Sequence, residues 1–256
     1  MLEIIPLSAL KDNYIWLLKN QINRHIAIID PSETKPVLER IEHENLVPIA
    51  ILITHHHWDH VGGILGITKQ FDIPVYTPKT ESVTGSTDLV SEGDLVALPE
   101  LNINLKILDV PGHTSGAIAY YTDGMVFSGD TLFTAGCGRI FEGTSSQMHA
   151  SLSKFKTLPG STLLYCGHEY TVENLKFAAN VEPQNKLIHK RLKLAQQARK
   201  SNQSSVPSTL LQESQTNPFL RCEEPSVMSA ASDFSGKKLN NAADVFTAIR
   251  QWKDNF

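Results

Sequence analysis

The stretch Ile49-Ala50-Ile51-Leu52-Ile53-Thr54-His55-His56-His57-Trp58-Asp59-His60-Val61-Gly62-Gly63 decides how the chain folds and what it can do. Its first five residues are an unbroken, largely β-branched apolar run that reads as a strand. Directly after it, His55, His57, Asp59 and His60 gather imidazole and carboxylate groups within six positions. Neutral imidazole and carboxylate are the usual ligands of zinc, iron and manganese. Side chains two apart at a strand end face the same way, so His55 and His57 are expected to address one point. Asp59 and His60, past the turn, are placed for a second ion. Gly62 and Gly63 remove side-chain bulk where the next helix must start close to the site. By itself the run is equally compatible with a histidine-rich surface loop.

Three further positions change that balance. His113 follows an apolar run at 105–110 through Pro111-Gly112. Asp130 follows 125–127 through Ser128-Gly129, and His168 follows 162–165 through Cys166-Gly167. Each is a strand, a glycine-containing turn, then one ligand-type residue. Singly, each reads as a loop histidine or a turn cap. Four separate strand ends delivering such residues read as a metal centre.

Around these motifs the chain alternates short apolar strands, expected at 4–7, 14–18, 25–29, 49–53, 105–110, 117–121, 125–127 and 162–165, with helical periodicity at 35–45, 61–71 and 145–158. This is a mixed α/β pattern. From Tyr170 onward the strands are expected to cease. Helical periodicity then runs over 173–180, 184–200 and 241–253, around a Ser/Pro/Asn-rich connection.

Bulk properties exclude several classes. A chain of 256 residues with 41% hydrophobic and 20% charged residues and a net charge of -4 is an ordinary globular protein. A binder of nucleic acid backbone would be basic, and here only Lys186 to Lys200 is notably so. Cys137, Cys166 and Cys222 are odd in number and show no CxxC spacing, which speaks against disulfides and for a reducing compartment. No run approaches the roughly 20 apolar residues of a membrane span. The expectation is a cytoplasmic monomer with neither nucleic acid nor membrane as partner.

The order HxHxDH, distant His, distant Asp, distant His resembles the ligand signature of the metallo-β-lactamase superfamily. The resemblance implies an αββα sandwich, with His55, His57 and His113 on a first metal, Asp59, His60 and His168 on a second, and Asp130 bridging. It implies two divalent ions per chain, zinc first, with iron or manganese as alternatives. Asp30, ending the strand at 25–29, matches the superfamily's first short motif as a support for the ligands. From the residues alone it reads equally well as a turn residue before Pro31.

Within that superfamily the chain resembles glyoxalase II, the hydroxyacylglutathione hydrolases. The segments that carry the resemblance are Asp12-Asn13-Tyr14, Gly136-Cys137-Gly138-Arg139-Ile140-Phe141-Glu142-Gly143-Thr144, Gly167-His168-Glu169-Tyr170-Thr171, Asn217-Pro218-Phe219-Leu220-Arg221 and Arg250-Gln251-Trp252-Lys253. The family implies a catalytic domain over 1–168 and a small helical substrate-binding domain over 169–256. It also implies glutathione contacts from Arg139, Phe141, Tyr170, Arg250 and Lys253, with Phe141 standing where some members carry Tyr. Arg250 and Lys253, three apart on a helix, can grip one carboxylate, or can merely complement the helix dipole.

The expected chemistry follows from the metals. Two divalent ions roughly 3.5–4 Å apart can share a water and bring its pKa from about 15.7 to near 7. Asp59 would orient the resulting hydroxide toward a carbonyl. The implied reaction is hydrolysis of S-D-lactoylglutathione and related 2-hydroxyacyl glutathione thioesters to glutathione and a 2-hydroxy acid, the second step of methylglyoxal detoxification. A thiol leaves as thiolate with little help, which suits a site with no evident extra general acid. Cys137 and Cys166 lack the oriented His-acid pairing of an activated nucleophile.

Overall fold

The computed structural model describes residues 2–256. In chain order its strands are β1 (Leu2–Ala9), β2 (Asn13–Asn20), β3 (His25–Ile29), β4 (Val47–Leu52), β5 (Val75–Pro78), β6 (Asp88–Val90), β7 (Leu95–Leu98), β8 (Ile103–Asp109), β9 (Ile118–Thr122), β10 (Met125–Gly129), β11 (Leu132–Phe133), β12 (Gly136–Cys137), β13 (Leu163–Cys166) and β14 (Ser208–Thr209). The α-helices are α1 (Thr34–Glu44), α2 (Trp58–Val61), α3 (Ile64–Thr68), α4 (Ser145–Lys156), α5 (Thr171–Val181), α6 (Lys186–Lys200), α7 (Leu210–Thr216), α8 (Pro225–Ser235) and α9 (Ala242–Asp254). One six-stranded sheet has the order β1-β2-β3-β4-β5-β6, another β14-β13-β10-β9-β8-β7, and β11 and β12 form a hairpin.

Two compact units are interleaved in sequence. The first holds the chain up to Asp109 with Ser115–Thr122 and Phe127–Gly129; the second holds Val110–Thr114, Asp123–Val126 and Asp130–Phe256. In the first, β3 and β4 pair in parallel, and Ile26, Ala27, Ile28, Ala50, Ile51 and Leu52 are all fully buried. A strand covered on both faces needs a continuous apolar run rather than alternation, which is what 49–53 supplies. Val37 and Ile41 of α1 and Ile64 and Ile67 of α3 complete that core. The register Ile29↔Leu52 sets the two strand ends side by side, so Asp30 donates its backbone N–H to Leu52 O at 3.0 Å and lies next to Thr54.

In the second unit the helices start on capping chemistry. Thr144 and Gln147 form a capping box for α4, Thr209 and Gln212 one for α7, and Asn241 accepts from Asp244 N to start α9. Helix α4 then buries Met148, Leu152 and Phe155, and α9 buries Val245, Phe246, Ala248 and Ile249, the spacing of one helical face.

Two expectations need correction. The single helix at 61–71 is interrupted: α2 ends at Val61 and α3 begins at Ile64. The Gly63 N–H donates to Pro31 O at 2.7 Å, and a Cβ there would sit 2.7 Å from the same oxygen, so the backbone is pinned to the neighbouring loop instead of continuing a helix. Strands also continue past Tyr170, since β14 pairs antiparallel with β13 through Leu163↔Thr209. The Ser/Pro/Asn-rich connection holds α7 and α8 as well; Thr209, Pro225 and Gly236 are their start and stop residues, with Gly236 at φ 65°.

Candidate metal centre

In the first unit the end of β4 and the short helix α2 present the histidine run. The rings of His55 and His57 have centroids 4.8 Å apart, and those of His55 and His60 4.1 Å. Asp59 Oδ2 is 3.7 Å from His60 Nε2. Asp30, His55 and His60 offer ligand-type atoms within 4.8 Å of one another and are all buried. Asp30 sits at φ 49°, in the left-handed region that non-glycine residues seldom enter. Its carboxylate accepts from Thr54 N at 2.8 Å and Thr54 Oγ1 at 2.7 Å, and Oδ2 is 3.0 Å from His60 Nδ1. A carboxylate on Nδ1 holds the proton there and leaves Nε2 as the ligating nitrogen, the support that metal-bound histidines usually have.

His56 faces elsewhere. Its Nδ1 lies 3.0 Å from Glu81 Oε2 and its backbone N–H donates to the same oxygen at 2.5 Å, while Glu81 Oε1 takes Gly116 N at 3.1 Å. The middle histidine of the triplet therefore clamps a loop. Asp59 is braced by Asn13, whose Nδ2 donates to Asp59 Oδ2 at 3.0 Å and to Asp59 O at 3.1 Å.

In the second unit Asp130 lies between two histidines. Its Oδ2 is 3.5 Å from His113 Nε2 and 3.1 Å from His168 Nε2. His113 Nδ1 pairs with Arg139 O at 2.8 Å, which again turns Nε2 toward the carboxylate. His168 stacks on Tyr170 with centroids 4.7 Å apart and planes 4° from parallel. The approach of these groups depends on Gly138: a Cβ there would fall 1.9 Å from Asp130 O and 3.1 Å from His113 Nδ1.

The β11–β12 hairpin that links Asp130 to Arg139 is held from inside. Ala135, at φ 57°, donates its N–H to Glu213 Oε2 at 2.7 Å, and Asn217 Nδ2 reaches Phe133 O at 3.2 Å and Gly136 O at 2.9 Å. Glu213 is fully buried and pairs with Arg191. Sequence reasoning missed Glu213, Glu81 and Asp254. Asn13 and Asn217 lay inside the segments that resemble glyoxalase II, but nothing in the sequence assigned them these hydrogen bonds.

The proposed glutathione contacts all belong to this second unit. Phe141 is exposed, its ring edge-on to His113 at 5.3 Å. Arg139 is 59% exposed. Arg250 is only 6% exposed, and its Nη1 donates to Cys137 O at 2.9 Å and Gly138 O at 3.4 Å while its guanidinium covers the Phe219 ring. Arg250 and Lys253 therefore differ in how they are held. Arg250 fastens the hairpin end, and Lys253, half-buried with its ammonium 5.2 Å from the Phe177 centroid, is the more accessible of the two. Burial, then the nearby Arg250 charge, lowers the Lys253 pKa.

The donor set suits a transition metal of intermediate hardness, imidazole with carboxylate. These His/Asp clusters fit a binuclear metal site. Two family models match end to end: the metallo-beta-lactamase superfamily over residues 13–168, and the hydroxyacylglutathione hydrolase C-terminus over 169–256. The hydroxyacylglutathione hydrolase of Nitrosomonas eutropha is 48% identical over 256 residues, all of both chains, and that of Alkalilimnicola ehrlichii is 48% identical over 254 residues, 99% of each. Among solved structures, ETHE1 from Myxococcus xanthus superposes with a TM-score of 0.67 at 21% identity over 98% of this chain and 91% of its own, which speaks to the fold. TTHA1623, solved in a di-iron-bound form, gives 0.59 at 25% identity over 85% and 100%. With both models matched and near-half identity along its whole length, the chain belongs to the hydroxyacylglutathione hydrolase family of the metallo-β-lactamase superfamily.

Proposed function

We propose that the protein hydrolyses 2-hydroxyacyl glutathione thioesters, S-D-lactoylglutathione foremost, to glutathione and the 2-hydroxy acid. The observation that carries the reading is Asp130, whose single Oδ2 lies within 3.5 Å of the Nε2 atoms of both His113 and His168. By the superfamily resemblance those two histidines would serve different ions, and Asp130 would be the carboxylate shared between them. On this reading His55, His57 and His113 hold one ion and Asp59, His60 and His168 the other. Bound there, divalent ions supply a neutral-pH nucleophile from water and stabilise negative charge on the thioester carbonyl oxygen.

The chain's own residues do the rest. Asp59, steadied by Asn13, accepts a proton or hydrogen bond from the attacking water and aims it. Arg139, Phe141, Tyr170, Arg250 and Lys253 hold the glutathione moiety, Arg250 also fastening the Cys137–Gly138 backbone through its hydrogen bonds to both carbonyls. Residues 1–168 carry the metal ligands and 169–256 complete the substrate contacts. The free cysteines suit a reducing compartment, and the reading includes a cytoplasmic monomer that uses zinc, with iron or manganese as substitutes.

The test is metal analysis paired with turnover. Purified protein loaded with zinc, iron or manganese is assayed for loss of thioester absorbance with S-D-lactoylglutathione, beside a β-lactam control. Two ions per chain with thioester turnover and no lactam turnover is expected. A fully loaded protein inactive on the thioester would sink the proposal.

A further inference from the structure

At the C-terminal end of α9 one carboxylate meets two guanidinium groups. Asp254 Oδ1 accepts from Arg250 Nη2 at 2.9 Å and lies 3.4 Å from Arg139 Nε, and Lys253 is its neighbour in sequence. Asp254 is the last residue of the helix, where a negative side chain opposes the helix dipole. Its position makes sense through the guanidinium groups it meets.

The two arginines differ in how firmly they are held. Arg250 is buried, tied to backbone carbonyls, and its four-residue spacing from Asp254 is an ordinary helical pair. Arg139 is 59% exposed and meets Asp254, itself 35% exposed, through a long contact across the fold. A solvent-exposed pair of that length is weak and exchanges readily. A free carboxylate can instead engage the Arg139 guanidinium with both oxygens, which is stronger and better oriented.

We propose that Asp254 is a tethered stand-in for the substrate's terminal carboxylate, occupying Arg139 until the glycyl end of glutathione displaces it. It thereby limits how tightly anionic ligands are held and eases departure of the product. The inference rests on the assignment of Arg139 and Lys253 to glutathione binding. It extends that assignment by giving the site an internal competitor, so that cationic surplus is tuned and not simply maximised.

The experiment compares wild type with Asp254→Asn, an isosteric change that removes the charge. Three quantities are read: KM and kcat for S-D-lactoylglutathione, the Kd of glutathione by calorimetry, and the Kd of glutathione amidated at its glycine end. In Asp254→Asn, KM and the glutathione Kd are expected to fall together by roughly three- to tenfold, less so at high salt. The amide analogue is expected to bind both proteins equally. A helix-end residue with a purely structural role would instead raise KM, or move both peptides alike; either result overturns the inference, as does an unchanged KM. If Asp254→Asn loses thermal stability, Asp254→Ser is measured with the same criteria. Wild-type protein that neither turns over the thioester nor binds glutathione overturns the functional reading itself, whereas active wild type with an unmoved Asp254→Asn overturns only this inference.

Discussion

Asp30 Oδ2 lies 3.0 Å from His60 Nδ1, and the same carboxylate accepts both the backbone N–H and the hydroxyl of Thr54. One side chain thus ties the end of β3 to the start of the histidine run and fixes which His60 nitrogen can face a metal. Asp30→Asn tests this cleanly, because asparagine tolerates the left-handed backbone that Asp30 adopts. The expected result is a metal affinity weakened about 10- to 100-fold. Competition with a chromophoric chelator measures it, and circular dichroism checks the fold. Wild-type affinity in the variant would reduce Asp30 to a turn residue.

Asp59→Asn addresses the chemistry. The amide keeps the hydrogen bond geometry near Asn13 but cannot serve as an anionic acceptor. We expect kcat to fall about 10²- to 10⁴-fold with KM changed only a few-fold. Metal content is measured on the same sample, because a loss of the second ion would explain the fall without any role in orienting water. A kcat within threefold of wild type at full metal loading rules out the catalytic role.

The features legible in the sequence are those fixed by short-range rules. The buried strand before His55, the ligand-bearing turns after β8, β10 and β13, and the periodicity of α1, α4, α6 and α9 all follow from residue pattern. What the sequence did not disclose depends on pairing at a distance. That His56 serves Glu81, 25 positions away, cannot be told from a triplet of identical residues. Strands β5 and β6 are short and partly exposed, with too little alternation to stand out. The roles of Glu213 and Asp254 require knowing which backbone or guanidinium they meet. Arg250 shows the same limit, since spacing gave its face of the helix but not its burial beneath the hairpin.

The cysteines give a prediction about pH. Burial pushes the Cys137 thiol up to about 11, against the lowering effect of Arg250, and burial likewise pushes Cys166 and Cys222 up to about 12. At pH 8 the thiolate fraction of Cys137 is then on the order of one in a thousand, and only the thiolate reacts. Native protein incubated with iodoacetamide at pH 8 should remain unmodified and fully active, while urea-unfolded protein takes up label at all three. Rapid native labelling of Cys137 with loss of activity would reopen a thiol role near the site.

A last prediction concerns acid stability of the helical region. Burial raises the Glu182 pKa, but hydrogen bonds from Arg221 at 2.7 and 2.9 Å and from Ser226 at 2.8 Å outweigh it, so the carboxyl ends below its usual 4.5. A depressed carboxyl contributes stability that is fully present above the unfolded value and is lost as pH falls through the folded one. The contribution should therefore be complete at pH 6 and fade below pH 4.5. Glu182→Gln leaves Arg221, 15% exposed, without its anionic partner and is expected to cost about 3 kcal/mol at pH 7. Urea unfolding of wild type and variant at pH 7 and pH 3.5, both in metal-free buffer, measures the difference. The two curves should approach each other at the lower pH; a gap of the same size at both would mean that packing, not ionisation, is what the carboxylate supplies.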